Sequence, residues 1–139
     1  MTLIVDASVA LKWVLEEPGS RDAIELLFRP MIAPSLFQAE VGHALTKRVR
    51  RAELAPEQAR AGFAFIIRQC TLLPIEPLGD AALRLALELR HSLYDCYYLA
   101  AAEATGQALV TADGVLVAKL RAAGWAKQIY LLGEELPNG

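Results

Sequence analysis

The chain has 139 residues, of which 55% are hydrophobic and 22% charged, with a formal net charge of −2. That length suits one compact domain, and the apolar content excludes a disordered chain, since it is enough to offset the entropy of ordering. A pervasive basic coat is absent, so any nucleic-acid contact must be local.

Thr2-Leu3-Ile4-Val5 is a short apolar run ended by Asp6, the pattern of a strand buried on both faces. With Asp6 inside what would be a signal sequence's apolar region and no basic residues before it, a signal peptide is not expected. Ala7 to Glu16 then reads as a helix, stopped by Pro18-Gly19. Ser20 is placed to cap a second helix through Phe28, with Ile24, Leu27 and Phe28 on one face. Met31-Ile32-Ala33 is the second strand. Pro34 follows it, and a long helix runs to about Arg51. Another helix opens at Ala55-Pro56-Glu57 and ends near Cys70, proline being harmless in a first turn. Thr71 to Ile75 is the third strand, and a helix spans about Gly79 to Arg90. Ser92 and Gly106 bracket a helix over Leu93 to Thr105 as its N-cap and C′ residues. Ala108-Leu109-Val110-Thr111 is the fourth strand. A helix from about Gly114 to Ala123 and a fifth strand over Gln128 to Leu132 complete the pattern. Parallel strands need crossovers of this kind, so the alternation predicts an α/β/α sandwich on a central parallel sheet. One domain is expected over 1–135, with a frayed tail at 136–139. No uncharged run approaches the roughly 18 residues that span a bilayer. Cys70 and Cys96 are too few for a disulfide framework and read as reduced, buried residues of a cytoplasmic protein. The mean hydropathy of +0.31 is high for so small a soluble chain and points to surface covered by a partner.

Asp6, Glu40, Asp95 and Asp113 stand where the pattern predicts apolar or neutral residues. Asp6 directly follows the first strand, and Asp113 follows the fourth by one residue, where the ligand crevice of an open parallel sheet lies. Each aspartate could equally do no more than cap the helix after it. Glu40 falls within the stripe Leu36, Phe37, Val41, Ala44 and Leu45; a Glu at the stripe's margin is the plainer reading. Asp95 is the first charge of a helix apolar almost all round, and a capping arrangement with Ser92 is its plainer reading. Taken together, acids in these places face one sheet edge and repel one another unless a divalent cation neutralises them, for which Mg²⁺ or Mn²⁺ suits oxygen-only ligands. Neither His43 nor His91 is read as near another ligand, and the cysteines are far apart, so zinc is not expected.

These pieces resemble the PIN-domain ribonucleases, and within them the VapC toxins of toxin–antitoxin pairs. The resemblance rests on Leu3-Ile-Val-Asp-Ala-Ser8, Pro34-Ser-Leu-Phe-Gln-Ala-Glu40, Tyr94-Asp-Cys-Tyr-Tyr-Leu-Ala-Ala-Ala102 and Leu109-Val-Thr-Ala-Asp113, in order along nearly the whole chain. It implies a five-stranded parallel sheet in the order 3-2-1-4-5. It implies that Asp6, Glu40, Asp95 and Asp113 form an acidic site for one or two Mg²⁺ or Mn²⁺ ions, with Ser8 and Thr111 as supporting hydroxyls. The activity implied is endoribonuclease cleavage by a metal-activated water, leaving a 5′-phosphate and a 3′-hydroxyl. The partners implied are RNA and a cognate VapB-like antitoxin. One departure is Gly114-Val115-Leu116-Val117, where relatives often carry a polar or charged residue, so no fifth contact is counted on there.

Lys47-Arg-Val-Arg-Arg51 is the one basic cluster; Lys47, Arg48 and Arg51 are candidate RNA-backbone contacts, or else cations solvated at a helix C-terminus. His43 and His91 read as surface or structural residues, and Trp13 and Trp125 as core. Phe63, Phe65, Ile66, Ile67 and Cys70 give one helix more apolar surface than a single stripe needs, which suits a homodimer contact, an antitoxin helix or two-sided packing. Rival functions are a housekeeping RNA-processing PIN nuclease and a non-catalytic PIN scaffold. A haloacid-dehalogenase-type phosphatase needs an acid where Ser8 stands, and a receiver-like domain needs an aspartate where Ile75-Glu76-Pro77 stands.

Overall fold

The computed structural model describes residues 1–137. Five strands, β1 (Leu3–Val5), β2 (Met31–Pro34), β3 (Cys70–Leu73), β4 (Ala108–Thr111) and β5 (Ile129–Leu131), form one parallel sheet in the order β3-β2-β1-β4-β5. Leu3 is paired with Met31 on one side and Ala108 on the other. The three residues of β1 and the four of β4 are buried, as continuous apolar strands covered on both faces must be. β3 is an edge strand and only half-buried.

The helices are α1 (Ala7–Ala10), α2 (Ser20–Glu25), α3 (Leu36–Arg50), α4 (Pro56–Gln69), α5 (Gly79–Leu89), α6 (Leu93–Thr105) and α7 (Gly114–Ala122). Right-handed crossovers in this strand order put α1 to α4 on one face and α5 to α7 on the other. Contacts agree: α3 packs on α4 and α1, while α6 lies on β1, β2 and β4 under α5. α6 is the innermost helix, with Cys96 and Tyr98 to Ala102 buried, which is why its sequence is apolar all round. It ends at Gly106, whose φ of 71° is the left-handed conformation that glycine adopts without a Cβ penalty. No helix among the described residues is long and apolar enough to cross a membrane.

Several expectations are corrected. The helix expected over Ala7–Glu16 stops at Ala10 and continues as a 3₁₀ turn, Leu11–Trp13. There Trp13 enters the core and its Nε1 donates to Ala23 O at 2.8 Å. Ser20 does not cap α2. Gly19 holds the cap position with φ 91°, and Ser20 Oγ instead donates to Leu15 O and accepts from Glu17 N. The helix expected to run through Phe28 ends at Glu25 and continues as a 3₁₀ turn, Leu26–Phe28. Of the face predicted to be buried only Leu27 packs against the core; Ala23 and Leu26 are buried, whereas Ile24 is 45% and Phe28 90% exposed. β3 starts one residue earlier than predicted, at Cys70, and ends at Leu73 because Pro74 and Pro77 turn the chain into a 3₁₀ helix at Glu76–Leu78. Cys96 is buried but Cys70 is only half-buried, and both are free thiols. Burial pushes the Cys70 thiol up to about 12. Of the segment 136–139, Leu136 packs against the core and Pro137 O accepts from Arg29, while 138 and 139 lie outside the described residues.

Candidate active site

The topology itself makes a crevice. β1 and β4 are neighbours, but the chain leaves β1 toward one face of the sheet and β4 toward the other. Such a switch point opens at the carboxyl ends of the strands. Asp6 lies just past β1, and Asp113 lies just past β4. α3 follows β2, so its first two turns, with Glu40, stand over the same edge. α6 runs back toward the start of β4, so its N-terminal turn, with Asp95, stands there too. All four acids line one pocket of about 190 Å³, together with Ala7, Ser8, Tyr98 and Leu116. Grooves beside α4 are larger, so size does not identify this site; its charge does.

Asp6 is the most constrained member. Ser8 Oγ donates to its Oδ1 at 2.6 Å, and Thr111 Oγ1 donates to its Oδ2 at 2.5 Å. These hydroxyls are in turn fixed by the chain after β4. Ala112 N donates to Ser8 Oγ, and Asp113 N donates to Thr111 Oγ1. Thr111 is the only fully buried polar side chain among the described residues. Burial pushes the Asp6 carboxyl above its ordinary range, against the hydrogen bonds of Ser8 and Thr111, and the charge of Asp95 adds to the rise. Asp6 also caps α1 by accepting from Val9 N, and Asp113 caps α7 by accepting from Leu116 N. Capping and lining the pocket are therefore not alternatives; each aspartate does both.

Glu40 reaches the pocket from the edge of a stripe in which Phe37, Val41 and Leu45 are buried. Its Oε1 accepts from the Tyr98 hydroxyl at 2.6 Å. Burial raises the Glu40 carboxyl, the Tyr98 bond lowers it, and Asp6 and Asp95 raise it further. Tyr98 is 2% exposed. Burial and the neighbouring Glu40 push its phenol far above the ordinary range, so it stays a donor. Sequence reasoning gave Tyr98 no role. The available signal was its place one turn after Asp95, on the same helix face. Asp95 is not engaged with Ser92, which makes no side-chain cap bond. Its Oδ2 meets His91 Nε2 at 2.7 Å instead. This corrects the reading of His91 as remote from the acids; it stands one helical turn before Asp95.

Each facing carboxylate of Glu40, Asp95 and Asp113 spends one oxygen on a protein donor and leaves the other without a hydrogen-bond partner among the described residues. Among the described residues, no three His, Cys, Asp or Glu side chains stand close enough to hold an ion as they are. The donor set itself, all oxygen and half-buried or exposed, fits a hard divalent cation and not zinc.

The basic cluster is elsewhere. Lys47, Arg48 and Arg51 lie at the far end of α3, roughly 10–16 Å along its axis from Glu40. Arg48 is committed to Glu17 at 2.5 Å and Glu53 at 3.5 Å. Val115, in the first turn of α7 and next in sequence to Leu116 of the pocket lining, is 82% exposed, so the departure there leaves an exposed apolar residue.

The PIN-domain family profile matches residues 3–120. Ribonuclease VapC1 of Mycobacterium tuberculosis is 32% identical over 124 residues, covering 83% of this chain and 88% of that protein. A crystal structure of a Pyrobaculum aerophilum protein aligns with a TM-score of 0.69 at 28% identity, over 86% of this chain and 79% of that one. A toxin–antitoxin complex from Klebsiella pneumoniae shares the fold, with a TM-score of 0.60 at 16% identity over 80% of this chain and 86% of that one. With the family profile spanning most of its length and its sheet in the order that family implies, this chain belongs to the PIN-domain family, in its VapC branch.

Proposed function

We propose that the chain is a Mg²⁺- or Mn²⁺-dependent endoribonuclease, the toxin of a VapBC-type pair, acting in the cytoplasm. The observation that carries this reading is the meeting of Asp6, Glu40, Asp95 and Asp113 in one pocket at the switch point of the sheet. Its nearest support from outside the chain is the name of the Mycobacterium relative, a ribonuclease. Asp6, Asp95 and Asp113 are assigned as ligands, and Glu40 as a ligand or as the group that orients the attacking water. A divalent cation held there supplies charge neutralisation and a more acidic water. Ser8 and Thr111 hold Asp6 in one rotamer, so its carboxylate is set before substrate arrives. Tyr98 does the same for Glu40.

The antitoxin is assigned to the apolar groove of Val14, Leu15, Leu54, Gly62 and Phe65, which suits the apolar face of a helix. A homodimer is assigned to the exposed Leu83 and Leu87, one turn apart on α5. RNA cleavage by the purified chain, with and without Mg²⁺ or Mn²⁺ and with ends mapped, tests the activity. Discrete cuts bearing 5′-phosphates, lost with chelator, are expected. Cutting that persists in chelator sinks the metal reading. Cleavage without growth arrest on induction in a host lacking the antitoxin leaves the nuclease and removes the toxin.

Tyr98→Phe should leave the fold intact, because the ring stays packed. It should lower cleavage by roughly tenfold, the low end for groups that orient metal ligands, since Glu40 keeps access to water. Thr111→Val, which keeps the shape and loses the hydroxyl, should weaken Mn²⁺ binding by about 10–100-fold because Asp6 Oδ2 loses its donor. Calorimetric titration with the metal alone measures it, and unchanged affinity would remove Thr111 from the site.

A further inference from the structure

His91 is held at three points. Its backbone N–H donates to Ala86 O at 3.1 Å, its ring Nε2 stands 2.7 Å from Asp95 Oδ2, and its Nδ1 stands 3.1 Å from Lys119 Nζ. The same ammonium donates to Arg90 O at 3.2 Å. An ammonium has donors only, so the Nδ1 facing it carries the lone pair. The ring proton therefore sits on Nε2 and is directed at Asp95. Asp95 Oδ2 is taken by that bond, and Oδ1 has no hydrogen-bond partner among the described residues. The turn after α5, the start of α6 and the middle of α7 are thus tied together through one imidazole.

We propose that His91 is a positioning residue for Asp95, and that Lys119 selects the tautomer that lets it act. The Nε2–H fixes the rotation of the carboxylate and leaves Oδ1 for a cation in the pocket. This rests on the metal-nuclease reading above. A histidine that only steadied the start of α6 would move the thermal midpoint and leave metal affinity alone. The Asp95 side chain is 38% exposed, so the support is partly shared with water and its loss falls toward the lower end of the usual range.

The test is Mn²⁺ binding to the metal-free full chain without RNA, followed by the paramagnetic signal of the free ion. His91→Ala and His91→Phe are expected to bind roughly tenfold more weakly than wild type, with thermal midpoints unchanged. His91→Gln, whose amide N–H takes the place of Nε2–H, recovers most of that loss. Lys119→Met weakens binding less than His91→Ala, and nitrogen-15 spectra of the wild-type imidazole show the proton on Nε2. Equal Mn²⁺ affinity in wild type, His91→Ala and His91→Phe overturns the proposal. So does a glutamine variant as weak as the alanine one, or a wild-type proton on Nδ1. A wild type that binds no Mn²⁺ is a different result and overturns the metal reading of the pocket itself.

Discussion

Replacing Asp6 with alanine should abolish RNA cleavage and, on induction in a host lacking the antitoxin, growth arrest. Asp6 is the one acid of the pocket with both oxygens held by protein donors, Ser8 and Thr111, and it sits between the ends of β1 and β4. A metal's electrostatic stabilisation is worth several kcal/mol. Loss of about 4 kcal/mol is roughly a thousandfold at about 1.4 kcal/mol per tenfold. The fold should survive. The lost N-cap to Val9 costs about 1 kcal/mol, and removal of a half-buried carboxylate near Asp95 works the other way. Asp6→Asn separates shape from charge and should be equally inactive. The measurement is cleavage of a mapped RNA by folded variants, with circular dichroism as the control. Equal cutting, or equal arrest, by wild type and either variant would strip Asp6 of its role.

The second large effect is on stability. Asp6 and Glu40 both have folded-state carboxyls raised above their ordinary values of 3.8 and 4.5, chiefly by burial. A raised acid binds more protons folded than unfolded, so stability falls as pH rises from the ordinary carboxylate range through the raised folded values. Glu134, held low by the Arg121 hydrogen bond, contributes in the opposite sense, but only as pH falls through its own lowered value; it is exposed and its effect small. Metal-free protein should therefore melt higher in mild acid than at neutral pH. At neutral pH, Mn²⁺ at a hundred times its dissociation constant should stabilise the chain by about 2.7 kcal/mol. That is roughly 8 °C at about 3 °C per kcal/mol for a domain of this size. Asp6→Asn should lose most of the response to Mn²⁺ and melt no lower than wild type when metal-free. Scanning calorimetry at two pH values, with and without Mn²⁺, decides it. A midpoint indifferent to Mn²⁺ would mean that the acids do not share a cation.

Much of the fold is readable along the chain because local rules act without competition in its centre. β4 and α6 fall where predicted, since a doubly covered strand is apolar throughout and a buried helix is apolar all round. The reading fails near the periphery. Ile24 and Phe28 look like a core face by spacing, but α2 ends at Glu25, and Ala23 and, in the 3₁₀ turn after it, Leu26 take the inward side. Spacing says that a face is apolar and not which neighbour covers it. β3 slips because two prolines decide its end.

The acids divide in the same way. Position in sequence alone singles out Asp6, Glu40, Asp95 and Asp113, because a carboxylate is expensive where apolar residues belong and its presence there asks for a reason. Tyr98 and His91 gave no such signal. A tyrosine in a buried helix and a histidine before a helix are ordinary residues until their partners are known. Those partners are Glu40, from a helix on the other face of the sheet, and Lys119, from the helix after β4. The sequence by itself determined the alternation of strands and helices, the acids and the family they resemble, since each is written in local pattern. Only the tertiary structure decided which oxygen of each carboxylate is spoken for and which is left, since crossovers that part between β1 and β4 bring together side chains up to 107 positions apart.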